Sequence, residues 1–286
     1  MKIKRIGTVS NGQDGAIYGE YLFRFDHTGL GSVYELSKIG EESRPIGTFS
    51  LDPSGTLISH TNSVAFGMEY AESDDEFPAL YVNVCTHYAN SDGPLKGVTC
   101  VYRILRDDDG VFSASLIQLI EIGFDTALRK TSESKDGPCP LINFAIDGEY
   151  GRYYAFVMHN DMLGTRYFAF DLPALADGEY AEAYDALRVC FNETDILYHF
   201  DCPYHRFIQG ATLKNGKIYS LEGSGHDPAM TPAIRIIDLA QRREERCVCL
   251  ADHGFTNEPK MIDFAGDVCY FGDATNELYM IDLNTL

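Results

Sequence analysis

Tyr167-Phe168-Ala169-Phe170-Asp171-Leu172 is an apolar run closed by a polar turn residue, and it recurs. The same pattern appears as Ser32-Val33-Tyr34-Glu35-Leu36, Cys100-Val101-Tyr102-Arg103-Ile104, Ile234-Arg235-Ile236-Ile237-Asp238-Leu239 and Leu278-Tyr279-Met280-Ile281-Asp282-Leu283. Short alternating or apolar segments bounded by Gly, Asp, Asn and Pro are the mark of strands. A unit repeated at a long interval marks a repeat architecture. Five copies of one strand type predict five equivalent sheets.

Each copy has a strand-like partner upstream: residues 21–25, 80–84, 153–157, 217–221 and 267–271. A third, innermost run precedes each of these, at 15–18, 63–66, 144–147, 210–213 and 260–264. A fourth follows in four copies, at 44–49, 112–117, 186–191 and 245–250. The fifth copy runs to Leu286 without one, and Ile3-Lys4-Arg5-Ile6-Gly7-Thr8-Val9 supplies it from the other end. Pairing the first strand into the last sheet closes a ring and removes exposed edges. The sequence therefore predicts an all-β, five-bladed β-propeller with four antiparallel strands per blade. It is expected to be one domain, 1–286, with blades at 11–50, 60–120, 141–192, 207–251, and 258–286 plus 1–10. A sixth blade is the alternative, because the interval from Asn62 to Asn143 is long. Residues 107–131 offer only one strand, which favours a long loop there.

Composition bounds the function. The chain has 286 residues, 45% hydrophobic and 12% aromatic, enough for a large core. Its formal net charge of −20 argues against nucleic acid and against anionic membranes. No apolar stretch is long enough to span a bilayer, and the N-terminus lacks the apolar run of a secretion signal. Eight cysteines sit mostly in alternating apolar runs, without Cys-x-x-Cys, and read as reduced thiols of a cytoplasmic protein.

In a propeller the innermost strands line a central channel. Gln13, Asn62, Asn143, Gln209 and Glu258 stand at a common offset just before the five innermost runs. They form either a polar ring at the channel mouth or caps for the strands' unpaired backbone groups. Asp14 adds a second carboxylate beside Glu258. Oxygen donors of this kind suit a hard cation such as calcium, with Glu258 the candidate metal ligand. Seven of the eight histidines also map to this face: His60, His205 and His253 before inner strands, and His27, His87, His159 and His226 after second strands. Imidazole serves acid–base work near neutral pH. The expected ligand-binding set is Gln13, Asp14, Asn62, Asn143, Gln209, His159 and His226.

Gly-x-Gly-x-x-Gly, Walker, His-Glu-x-x-His and Gly-x-Ser-x-Gly signatures do not occur. Asp107-Asp108-Asp109-Gly110 lacks the downstream Glu of a calcium loop and reads as a turn between outer strands.

The stretch His205-Arg206-Phe207-Ile208-Gln209-Gly210-Ala211-Thr212-Leu213-Lys214-Asn215-Gly216-Lys217-Ile218-Tyr219 resembles the glutamine cyclotransferase family of five-bladed propellers. Phe207, Gln209, Gly210, Gly216 and Tyr219 carry the match, over about one blade. An ungapped match puts Ser220 where that family has its catalytic Glu, with Glu222 two residues on. The family's tryptophans have no counterpart, since the chain contains none.

Three functions follow. The first is a module binding a small polar molecule or a peptide end at the channel mouth. The second is an enzyme, glutaminyl-cyclase-like or a metal-assisted hydrolase, with Glu222 or Glu258 as the acid–base group and His60 or His205 assisting. The third is a protein-interaction scaffold.

Overall fold

The computed structural model describes residues 2–54, 61–84, 98–124, 142–158, 164–202, 208–225 and 230–282. After β1 (Ile3–Thr8), the first blade is β2 (Asp14–Tyr18), β3 (Tyr21–Phe25), β4 (Leu30–Glu35) and β5 (Gly47–Ser50). The second contains β6 (Thr61–Phe66), β7 (Leu80–Val84), β8 (Val98–Arg106) and β9 (Phe112–Ile122). The third begins with β10 (Ile142–Asp147), β11 (Arg152–Met158) and β12 (Thr165–Asp171). Next come β13 (Glu179–Ala181), β14 (Ala186–Phe191) and β15 (Tyr198–Cys202). The fourth blade is β16 (Ile208–Lys214), β17 (Lys217–Glu222), β18 (Ala233–Asp238) and β19 (Arg243–Cys249). The fifth is β20 (Pro259–Ala265), β21 (Val268–Asp273) and β22 (Glu277–Ile281), with β1 on its outside.

This is the five-bladed propeller that the repeat predicts, closed as expected. Strand β1 runs antiparallel to β22, Ile3 opposite Ile281 and Thr8 opposite Glu277. The inner strands β2, β6, β10, β16 and β20 contact one another in a ring.

One strand assignment is corrected. Residues 186–191 are not the outer strand of the third blade; β14 instead pairs in parallel with β9, Leu187 opposite Gln118 and Phe191 opposite Ile122. That makes the second sheet six-stranded, in the order β13-β14-β9-β8-β7-β6. The third blade takes β15 as its outer strand, Tyr167 opposite Phe200, with the two rings stacked 5.0 Å apart. Both segments alternate, and alternation fixes which side chains point inward but not which edge a strand joins.

The core lies between blades. Phe23, Phe49, Phe77 and Phe112 are buried at the first seam, with Phe23–Phe77 in an edge contact at 5.2 Å. Burying each such ring contributes about 2–3 kcal/mol. Hairpin turns repeat a device. Asp26 Oδ1 accepts from the Thr28 and Leu30 N–H groups, and Asp273 Oδ1 from those of Thr275 and Glu277. Asp107 does the same with Asp109 and Val111. Asp107–Gly110 is thus a turn between β8 and β9, with Gly110 at φ 80°. Of the cysteines, Cys100, Cys202 and Cys269 are buried thiols, whereas Cys190 and Cys247 are exposed; Cys85 and Cys139 lie outside the described residues. No helix of the described residues is long and apolar enough to cross a membrane.

Candidate functional site

Inner strands have one edge facing the channel, so backbone N–H groups there need partners other than a sheet neighbour. Side chains of the inner strands supply them. Asp14 Oδ1 accepts from the Gly15 N–H at 2.7 Å, and Asp263 Oδ2 from the Ile17 N–H at 2.7 Å. Thr212 Oγ1 and the Phe264 N–H donate to the other oxygen of Asp263.

The five ring residues fall at the same ends of the five inner strands, and four of them pair, Asn62 with Asn143 and Gln209 with Glu258. Asn62 donates to Asn143 Oδ1 at 2.7 Å, and Ser63 Oγ to the same oxygen at 2.9 Å. Gln209 Nε2 donates to Glu258 Oε1 at 3.0 Å and to the Gly223 carbonyl at 2.8 Å. Lys260 Nζ donates to Gln209 Oε1 at 3.0 Å and lies 2.5 Å from Glu258 Oε1. The Gly225 N–H donates to Glu258 Oε2 at 2.8 Å. Gln13 is half-buried beside Asp14, its N–H bonded to the Phe25 carbonyl.

The sequence reading missed Lys260, and a β-bulge explains why. In β16 the register passes from Ile208↔Glu222 to Gly210↔Leu221, leaving Gln209 as the extra residue. In β20 it passes from Pro259↔Asp273 to Met261↔Gly272, leaving Lys260 extra. Asn62 and Ser63 sit in the corresponding shift of β6. Bulges re-aim side chains, and here they turn Gln209, Lys260 and the Asn62–Ser63 pair toward the same end of the channel. A charged residue inside the run Lys260-Met261-Ile262 was the available signal.

Asp14 reaches across the channel. A Cβ on Gly210 of the non-neighbouring fourth blade would lie 3.4 Å from Asp14 Oδ1 and 2.4 Å from the Lys260 carbonyl oxygen. Gly210 is therefore required by close approach. Asp14 is 2% exposed and its Oδ2 has no hydrogen-bond partner among the described residues. Burial pushes its carboxyl well above the usual range, against the opposing effects of the Gly15 N–H and the Arg24 guanidinium. Burial likewise moves Asp263 up to about 6. Behind Gly15, Arg24 is fully buried between β2 and Gly272 of β21, beside Asp14 and Asp273. None of its three nitrogens has a hydrogen-bond partner among the described residues. Desolvation lowers it to about 10.

Glu222 is fully buried, with Arg235 Nε on Oε1 at 2.7 Å and Arg235 Nη2 on Oε2 at 3.1 Å. Arg235 also pairs with Glu244. Ser220 is fully buried too. His60, His87, His159, His205 and His226 lie outside the described residues. His27 and His253 are exposed.

Glu258 does not fit a calcium ligand. Its Oε1 is taken by an ammonium and an amide, and its Oε2 by a backbone N–H, all donors that a cation would have to displace. No group of three or more His, Cys, Asp or Glu side chains among the described residues is placed to hold a metal ion. An open cavity of about 1020 Å³ lies apart from the channel, between β14 and residues 171–173 and 194–197. Two of its carboxylates serve their own loops, Asp177 capping Ala174 and Asp195 capping Asn192, and Asp171 pairs with Arg152.

No protein-family model matches the chain, and no curated protein matches its sequence. Solved structures do match. A GH43 β-1,3-galactosidase, solved with galactodeoxynojirimycin, aligns with a TM-score of 0.51 at 11% identity, over 96% of this chain and 92% of that one. A PQQ-bound aldose sugar dehydrogenase from Streptomyces coelicolor aligns with a TM-score of 0.48 at 11% identity, over 98% and 97%. The galactosidase match, at this identity, shows the propeller fold alone.

Proposed function

We propose that the protein is a binding module whose channel mouth takes a small polar molecule between Asp14, Asn62, Asn143, Gln209, Glu258 and Lys260. The observation that carries this reading is Asp14. A carboxylate 2% exposed, with one oxygen unpartnered among the described residues, is costly to maintain unless it meets a partner. It stands where inner strands of three blades converge on Gly210. Binding is favoured over cyclase chemistry by Ser220 and Glu222. The first is fully buried and the second has both carboxylate oxygens held by Nε and Nη2 of Arg235, so neither is placed for proton transfer at the mouth.

A thermal-shift screen of small polar molecules against the wild type and Lys260→Met tests this. Hits that raise the wild-type melting temperature and lose that effect in the variant are expected. Hits indifferent to Lys260→Met would move the site elsewhere.

A further inference from the structure

The hydrogen-bonding capacity left over at the mouth defines what it can hold. Asn143 Oδ1 is used twice, by Asn62 Nδ2 and Ser63 Oγ. That leaves Asn62 Oδ1 as an acceptor and Asn143 Nδ2 as a donor, both unpartnered among the described residues. Exchanging O and N in both amides leaves the same remainder, one donor and one acceptor. In the first blade, Asp14 Oδ2 is unpartnered among the described residues and is an acceptor in its ionised form. Lys260 has three N–H donors and uses two, on Gln209 and Glu258, so one remains. Counted over these four residues alone, two donor groups and two acceptor groups remain.

Charges of both signs face the mouth. Glu258 faces Lys260 in contact. Asp14 faces Arg24 from β3 and Lys260 and Asp263 from β20, while Asp273 of β21 faces Arg24 from behind. A cationic ligand would meet Lys260 with Arg24 behind it, and an anionic one would meet Glu258 and Asp14. Either would be desolvated against a like charge. Hydroxyl groups both donate and accept and carry no charge, so a molecule with several of them satisfies all four free positions.

We infer that the ligand of the channel mouth is an uncharged polyhydroxylated molecule, a sugar or cyclic polyol, held by Asp14 and Lys260 together with Asn62 and Asn143. This rests on the reading of the mouth as a ligand site and narrows it to one chemical class.

Isothermal titration of the full chain with galactose, glucose and myo-inositol, and separately with glutamate and arginine, tests it. At least one neutral polyol is expected to bind, with affinity falling about ten-fold or more in Lys260→Met and in Asp14→Ala, the effect of losing one hydrogen bond to a charged group. Asp171→Asn, in the outer cavity, is expected to leave binding unchanged. Should Asp14→Ala fail to fold, Lys260→Met and Asn143→Asp carry the comparison. Binding of glutamate or arginine that depends on Lys260, with the polyols excluded, would overturn the neutral-ligand inference and leave the site standing. Heat from no member of either class would remove both.

Discussion

Asn62 and Asn143 are 81 residues apart and joined at 2.7 Å, tying the inner strand of the second blade to that of the third at the channel mouth. The acceptor, Asn143 Oδ1, also serves Ser63, and all three residues are buried. Asn143→Ala removes the acceptor from two buried donors, and is expected to cost about 2–6 kcal/mol, at about 1–3 per orphaned group. Asn62→Ala removes one of those donors together with its own need for a partner, and is expected to cost less. Urea unfolding of both variants and of the double variant checks the order. Equal losses would show that the bond is not shared in this way.

Gly210→Ala tests the convergence of strands at the mouth. Its methyl would lie 2.4 Å from the Lys260 carbonyl oxygen, a backbone atom that cannot swing aside. A loss of about 2 kcal/mol or more is expected, within the range for overpacking. Gly216→Ala is the control: its methyl would meet nothing within 4 Å, and only its φ of 70° opposes it, at about 1 kcal/mol. Comparable losses at both positions would contradict the close approach.

Removal of residues 1–10 is expected to destabilise the whole ring. Strand β1 covers the outer edge of β22, Arg5 pairs with Glu277 and Glu41, and Val9 is buried against Leu278 and Met261. Its loss exposes a sheet edge and that apolar surface together. A truncated protein that melts with the full-length one would refute the closure.

Asp263 gives the protein a pH dependence opposite to that of an ion-paired carboxylate. Its folded-state value of about 6 lies above the ordinary 3.8, so its contribution is most favourable below about pH 4 and is lost as pH rises through about 6. Asp14 acts in the same direction. Wild-type stability from these groups should fall by up to about 2–3 kcal/mol across that window, at about 1.4 kcal/mol per pH unit. Asp263→Asn is less stable overall, because its amide meets N–H donors, yet it should lack that part of the slope. An unchanged slope between pH 4 and 6 in the variant would remove Asp263 as the cause.

Peptides with N-terminal glutamine are expected to release no ammonia at enzymic rates. Glu222 is fixed by Arg235 and Ser220 is fully buried. Turnover abolished by Glu222→Gln would reverse this expectation.

The number of blades was legible because alternation and turn chemistry repeat together, as in Tyr219–Leu221 followed by Ile234–Leu239. Asn62 and Asn143, which share an offset before their inner runs, are joined side chain to side chain. What alternation cannot carry is edge choice, which is why residues 186–191 were expected in the third blade and are found on β9. Counting residues to the apolar run also cannot see a bulge. It aligned Glu258 with Gln209, whereas the extra residue of β20 is Lys260. Arg24, set among Leu22, Phe23 and Phe25, carried a signal in the sequence: a cation inside an apolar strand must be buried beside opposite charge. Its companions Asp14 and Asp273 come from other strands, so only the fold identifies them.

The central claim, that the channel mouth is the ligand site, is tested most directly by the side-chain amide resonances of Asn62, Asn143 and Gln209 in ¹H–¹⁵N spectra. Titration with a ligand that raises the melting temperature is predicted to shift all three together, while backbone resonances around the outer cavity, at Asp177–Ala181, stay in place. Shifts at Asp177–Ala181 with the three amides unmoved would contradict the claim.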